Sequence, residues 1–203
     1  QLKHDPDLMA ILVQALLYVA AGGGLVLSSM IERSRHLLAA LRLARDELED
    51  RVRLRTIGRT GDLPAGVQKV LRETVKATEK FDDYTLVLAL NYGSRTEVLD
   101  AAGAFAAAVA AGKEPAGTPD WERFSRYLCT SGMPDPDLVI RTSGETRMSN
   151  FLLLQAAYAE WYFTPVLWPD FTREHLAAAI ADYHRRERRF GRTSDQVRPA
   201  AKS

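Results

Sequence analysis

Asp137-Leu138-Val139-Ile140-Arg141-Thr142-Ser143-Gly144-Glu145-Thr146-Arg147-Met148-Ser149-Asn150 passes from a short apolar run into a loop of two arginines, four hydroxyls and a glycine. The run reads as a buried strand, and a helix is expected from about Ser149, so the loop lies at a strand's carboxyl end. Ligands of open α/β sheets bind at that end. Arginine forks suit bidentate contact with phosphate oxygens, and hydroxyls donate to the same oxygens. The amino end of the expected helix adds unpaired N–H groups and partial positive charge. The loop therefore reads as an anion site for a phosphate or diphosphate. The competing reading pairs Arg141 and Arg147 with Glu145, Asp135 or Asp137 on the surface, where such pairs are common and weak.

Working outward, helix and strand patterns alternate. Residues 32–50 carry Leu37, Leu38, Leu41 and Leu48 at helical spacing. Val52-Arg53-Leu54-Arg55-Thr56-Ile57 alternates apolar and polar residues as a half-buried strand does. Gly58 and Gly61 mark a turn before a helix over 64–80, and Tyr84 to Leu90 reads as a further strand. Asn91-Tyr92-Gly93-Ser94-Arg95 forms a second strand-end segment. The chain's two asparagines, Asn91 and Asn150, fall one in each strand-end segment. Helices are expected over 95–111 and 121–128, and a charged amphipathic one over 172–189. This alternation predicts an α/β fold with an open, mostly parallel sheet and helices on both faces.

The 203 residues are 46% hydrophobic and 26% charged, enough apolar content for one domain with a sizeable core. Lys+Arg 27 against Asp+Glu 26 leaves a formal charge of +1, without the electrostatic bias of a dedicated nucleic-acid binder. Cys129 is the single cysteine, so no intramolecular disulfide forms and nothing requires an oxidising compartment. A cytoplasmic location is expected.

The N-terminal 1–32 stands apart from a domain over 33–191 and a polar tail over 192–203. Residues 8–31 contain no charge, a length that crosses a bilayer, and Arg33, Arg35, Arg42 and Arg45 follow. Gly22-Gly23-Gly24 interrupts the run, so its halves also read as a buried helix and strand. Membrane anchoring and core burial both remain open.

Glu160 lies in the apolar stretch Ala156-Ala157-Tyr158-Ala159-Glu160-Trp161-Tyr162-Phe163, near the end of the helix expected from Ser149. A carboxylate in such company must be paired, metal-bound or protonated. Two partners fit it. One is Mg²⁺ beside a diphosphate, since that ion takes one or two protein carboxylates plus phosphate oxygens. The other is an arginine of Arg185-Arg186-Glu187-Arg188-Arg189.

The stretch from Asp135 through Phe151 resembles the C-terminal signature of the cis-prenyltransferases, the undecaprenyl diphosphate synthase family. The resemblance continues through Gln155-Ala156-Ala157-Tyr158-Ala159-Glu160 and Leu167-Trp168-Pro169-Asp170-Phe171 to Arg185-Arg186-Glu187-Arg188-Arg189-Phe190-Gly191. Upstream it includes Leu90-Asn91-Tyr92-Gly93-Ser94-Arg95 and Val52-Arg53-Leu54-Arg55-Thr56-Ile57-Gly58, so it covers about residues 45–191.

The resemblance implies an enzyme that adds isopentenyl diphosphate with cis geometry to an allylic diphosphate such as farnesyl diphosphate, with Mg²⁺ required. It implies that Arg141, Arg147 and Ser149 hold the diphosphate of isopentenyl diphosphate and that Glu160 helps place Mg²⁺. It also implies a homodimer, or a heterodimer with a related subunit. The family's aspartate-glycine-asparagine-glycine-arginine-tryptophan motif does not occur in this sequence, so the resemblance assigns no catalytic residue. Two readings follow: a prenyltransferase, or a non-catalytic accessory subunit that donates the Arg141–Ser149 loop to a catalytic partner.

Overall fold

The computed structural model describes residues 52–186, which divide into two compact units. The first comprises 52–134 with Met148–Leu154, and the second comprises Asp135–Arg147 with 155–186. The segment 8–31, the helix expected over 32–50, Arg188, Arg189 and the tail over 192–203 lie outside the described residues.

In the first unit, β1 (Val52–Ile57) forms where the sequence alternates, and it buries Val52, Leu54 and Ile57. After a turn, α1 (Ala65–Thr78) follows Pro64, whose fixed φ suits a helix start and which has no N–H to leave unpaired. Its inward residues are Val67, Leu71, Thr74 and Thr78, one stripe at helical spacing. β2 (Tyr84–Ala89) then returns beside β1 as a parallel partner, in register from Val52↔Tyr84 to Ile57↔Ala89. A parallel pair needs such a crossover, and α1 provides it.

Leu54, Val67, Leu71, Leu88 and Leu90 close the core between helix and strands. Each such side chain contributes roughly 1.5–3 kcal/mol when fully buried. One polar contact crosses this core. The buried Thr78 hydroxyl donates to Thr74 O at 2.9 Å and accepts from Leu54 N at 3.0 Å, tying helix to strand.

α2 (Ser94–Ala110) buries Ser94, Glu97, Ala101 and Phe105 on one face. Phe105 meets Phe124 and Tyr127 edge-on at centroid separations of 6.4 and 5.4 Å. Phe124 lies on the short α3 (Trp121–Ser125), which the Asp120 carboxylate caps by accepting from Arg123 N at 2.8 Å.

In the second unit, β3 (Leu138–Arg141) pairs in parallel with β4 (Glu160–Phe163), from Leu138↔Glu160 to Arg141↔Phe163. A 3-10 turn at Trp168–Asp170 leads to α4 (Arg173–Arg185). Thr172 opens that helix, donating its N–H to His175 Nδ1 at 3.0 Å. Ala179 is its fully buried residue, and the buried Phe171 before it stacks between Trp168 and His175.

The parallel α/β class expected from the sequence is the class observed. Among the described residues the strands form two separate two-stranded sheets. No helix among these residues is long and apolar enough to cross a membrane.

The helix expected from Ser149 is replaced by turns and bends through residue 158, and Glu160 opens a strand instead of closing a helix. Ser149, Asn150 and Leu152 have φ of 48°, 60° and 46°, and left-handed residues cannot propagate a right-handed helix. Leu153 N also donates to Ser94 Oγ at 2.7 Å, which takes that amide away from any local helix. Apart from Glu160 the run over 156–163 is apolar, and such a run does not distinguish helix from strand by period. Its aromatic residues favour the strand that forms.

Candidate functional site

Arg141 is the last residue of β3 and is half-buried. The loop after it is clipped to the segment leaving β4. Thr164 N donates to Arg141 O at 2.9 Å, Gly144 N to Thr164 O at 2.9 Å, and Ser143 N to Val166 O at 2.8 Å. Ser143 and Gly144 both take left-handed φ, 68° and 69°, which turns the loop sharply and holds it at the strand's carboxyl end.

Arg147 lies farther along this loop, 71% exposed, in an ion pair with Glu145. That is the surface pairing weighed from the sequence. Exposed pairs contribute roughly 0–1 kcal/mol, so Glu145 does not commit Arg147 against a more highly charged anion. The helix N-terminus expected to assist the loop is not there, since no helix follows.

Glu160 sits at the opposite end of the same sheet. It registers with Leu138, whereas Arg141 registers with Phe163, so about 10 Å of strand separates the two positions. Glu160 Oε2 accepts from Arg186 Nη1 at 2.8 Å. The same guanidinium reaches Trp161 O at 2.9 Å and Asp182 through Nε at 2.9 Å and Nη2 at 2.7 Å. Of the two partners open to Glu160, the arginine is the one in contact. Glu160, then Asp182, hold Arg186 above its ordinary pKa, and Arg185 and Arg186 hold the Asp182 carboxyl below the usual carboxylate range. Among the described residues no three His, Cys, Asp or Glu side chains come together as metal ligands. The donor set at Glu160 is one carboxylate, which fits only an ion that completes its shell with diphosphate oxygens and water.

Ser149 belongs to the first unit, in the Met148–Leu154 segment that packs on the start of α2. Around that start, in and beyond the second strand-end segment, the structure gathers residues to which the sequence reading gave no role. Tyr92 OH donates to Glu97 Oε2 at 2.6 Å and lies 3.1 Å from Ser94 Oγ. Glu97, only 7% exposed, also accepts from Cys129 Sγ at 2.8 Å and Cys129 N at 3.1 Å. Burial and then the bond to Glu97 push the Tyr92 phenol up, and the same two causes raise the Cys129 thiol to about 11. These groups border a cavity of about 150 Å³ at the carboxyl ends of β1 and β2. The sequence signal for it was the polar Asn91–Arg95 segment after a strand; Glu97 follows on the first turn of α2, and the Cys129 thiol arrives from 32 residues farther along the chain.

Residues 27–191 match the family model described as "Putative undecaprenyl diphosphate synthase". An isoprenyl transferase of Geobacter sulfurreducens is 48% identical over 146 residues, covering 72% of this chain and 59% of that protein. One of Thermotoga maritima is 47% identical over 162 residues, covering 80% and 65%. The chain thus spans about six tenths of the length of the curated relatives it matches. Among solved structures, lavandulyl diphosphate synthase of Lavandula x intermedia, in complex with dimethylallyl diphosphate, has a TM-score of 0.81 at 28% identity. That match covers 90% of this chain and 87% of the other. A strand-end arginine loop, a parallel α/β frame and a match over most of the sequence agree, and this chain belongs to the undecaprenyl diphosphate synthase family of prenyltransferases.

Proposed function

We propose that the protein adds isopentenyl diphosphate, with cis geometry, to an allylic diphosphate such as farnesyl diphosphate and so builds a polyprenyl diphosphate. The observation that carries this reading is the clipped loop after β3, which presents Arg141 and the weakly held Arg147 at a strand's carboxyl end. In the reaction the allylic carbon–oxygen bond breaks and its electron pair leaves with inorganic diphosphate, a carbon–carbon bond forms from the isopentenyl double bond, and a proton leaves the isopentenyl unit. Arg141, Arg147 and Ser149 would bind the diphosphate of isopentenyl diphosphate by charge-assisted hydrogen bonds and so orient its double bond.

Mg²⁺, when bound, supplies charge stabilisation at diphosphate oxygens. Glu160 is the described carboxylate that would help hold it, sharing its charge with Arg186. No described residue is assigned as the group that removes the proton. By family resemblance the working form is a homodimer, or a heterodimer with a related subunit. A cytoplasmic site of action is proposed, with 8–31 as the segment for contact with a membrane surface, supported by its lack of charge.

The experiment is incorporation of labelled isopentenyl diphosphate into extractable polyprenyl product by purified chain with farnesyl diphosphate and Mg²⁺. Incorporation that Glu160→Ala abolishes supports the transferase. Incorporation only after a catalytic homologue is added replaces it with the accessory-subunit reading, and no product in either case refutes both.

A further inference from the structure

α2 begins without a capping side chain of its own. Its N-cap position is Gly93, so the amides of Ser94 and Arg95 need acceptors from elsewhere. Asn150 supplies both. Its main-chain oxygen accepts from Ser94 N at 2.9 Å, and its side-chain Oδ1 accepts from Arg95 N at 2.9 Å across 55 residues of sequence. Gly93 makes this docking sterically feasible. Its backbone is extended, a conformation open to any residue, but a Cβ there would lie 2.6 Å from Asn150 Nδ2. The same segment is held twice more, by Leu153 N on Ser94 Oγ and by Phe151 edge-on against Tyr92 at 5.9 Å.

Ser149 precedes Asn150 and shares its left-handed backbone, with φ of 48° and 60°. A non-glycine pair in that region persists only where its surroundings over-determine it. The anchors on Asn150, Phe151 and Leu153 are those surroundings. We propose that Asn150, seated against Gly93 on the start of α2, is a positioning residue that fixes the Ser149 hydroxyl for the diphosphate of the substrate. This rests on the reading of Ser149 as a diphosphate ligand. It also accounts for glycine at a helix N-cap, where serine or aspartate would otherwise cap the helix directly.

The test is calorimetric titration of the full chain with isopentenyl diphosphate, each variant first shown to be folded by circular dichroism. Gly93→Ala should weaken binding roughly tenfold or more, the effect of one lost hydrogen bond to a charged group, and Ser149→Ala should do the same. In the Ser149→Ala background Gly93→Ala should have no further effect, because the hydroxyl it misplaces is already gone. A general loss of structure would lower affinity in both backgrounds. Should Gly93→Ala not be recovered folded, Asn150→Ala with and without Ser149→Ala makes the same comparison without adding bulk. If Ser149→Ala weakens binding but neither Gly93→Ala nor Asn150→Ala does, the positioning role is overturned and the diphosphate site stands. It is also overturned if either variant weakens binding equally in the Ser149→Ala background. If Ser149→Ala and Arg141→Ala both bind normally, the diphosphate-site reading fails, and the positioning role with it.

Discussion

Arg147→Ala separates a binding role from a structural one more sharply than any other change in the loop. Its guanidinium is 71% exposed, and the partner it contacts is the neighbouring Glu145. An exposed pair of that kind contributes roughly 0–1 kcal/mol, so the variant should unfold in urea within about 1 kcal/mol of the parent. A guanidinium on a diphosphate is a different interaction. A hydrogen bond to a charged group contributes about 1.5–3 kcal/mol, which is roughly a 10- to 150-fold change in dissociation constant. The two effects therefore differ by more than measurement error, and they have opposite diagnostic weight. Calorimetry with isopentenyl diphosphate reads one, and the urea midpoint reads the other. Arg141→Ala is the companion variant. It is half-buried at the end of β3, and its loss should reduce affinity at least as much, with a larger effect on stability. Unchanged affinity in both variants would refute the diphosphate loop. A large stability loss in Arg147→Ala would refute the account of it as weakly held.

Three further outcomes follow from the fold. Gly58→Ala should destabilise the first unit by about 2 kcal/mol or more in urea, because φ there is +95° and a Cβ would collide with the Leu90 carbonyl oxygen. Thr78→Val keeps the shape but removes the acceptor for buried Leu54 N, for an expected loss of about 1–3 kcal/mol at the urea midpoint. Cys129, with its thiol raised to about 11, should be alkylated by iodoacetamide with a rate that climbs toward pH 11 rather than near 9. The sign for stability agrees: the unfolded thiol releases its proton first, so the Cys129 contribution is present below pH 9 and is lost as pH rises through 11. A rate that levels off near pH 9 would contradict the burial of the thiol and its bond to Glu97.

Where one periodicity governed a segment, the sequence was legible. Val52–Ile57 alternates because one face meets the core, and α1 carries its buried stripe at Val67, Leu71, Thr74 and Thr78 because its other faces meet solvent. The arginine loop after β3 was legible for the same reason. A strand that ends in charge and hydroxyls announces its own exposed end.

The failures have two causes. Residues 156–163 are apolar apart from Glu160, so no local period separates a helix from β4, and Glu160 was placed on the wrong element. The capping of α2 by Asn150 joins positions 55 residues apart, and the choice of Arg186 for Glu160, between two partners the sequence left open, joins positions 26 apart. Patterns of three to four residues carry no information at that range.

By itself, then, the sequence determined which segments extend, which coil and which loop carries cationic charge, because those properties follow from backbone period and side-chain chemistry at neighbouring positions. Which carboxylate meets which arginine, why a glycine stands at a helix N-cap, and where a left-handed serine is held were decided only by the tertiary structure. Hydrogen bonds and steric limits act on atoms a few ångströms apart, however far apart they lie along the chain.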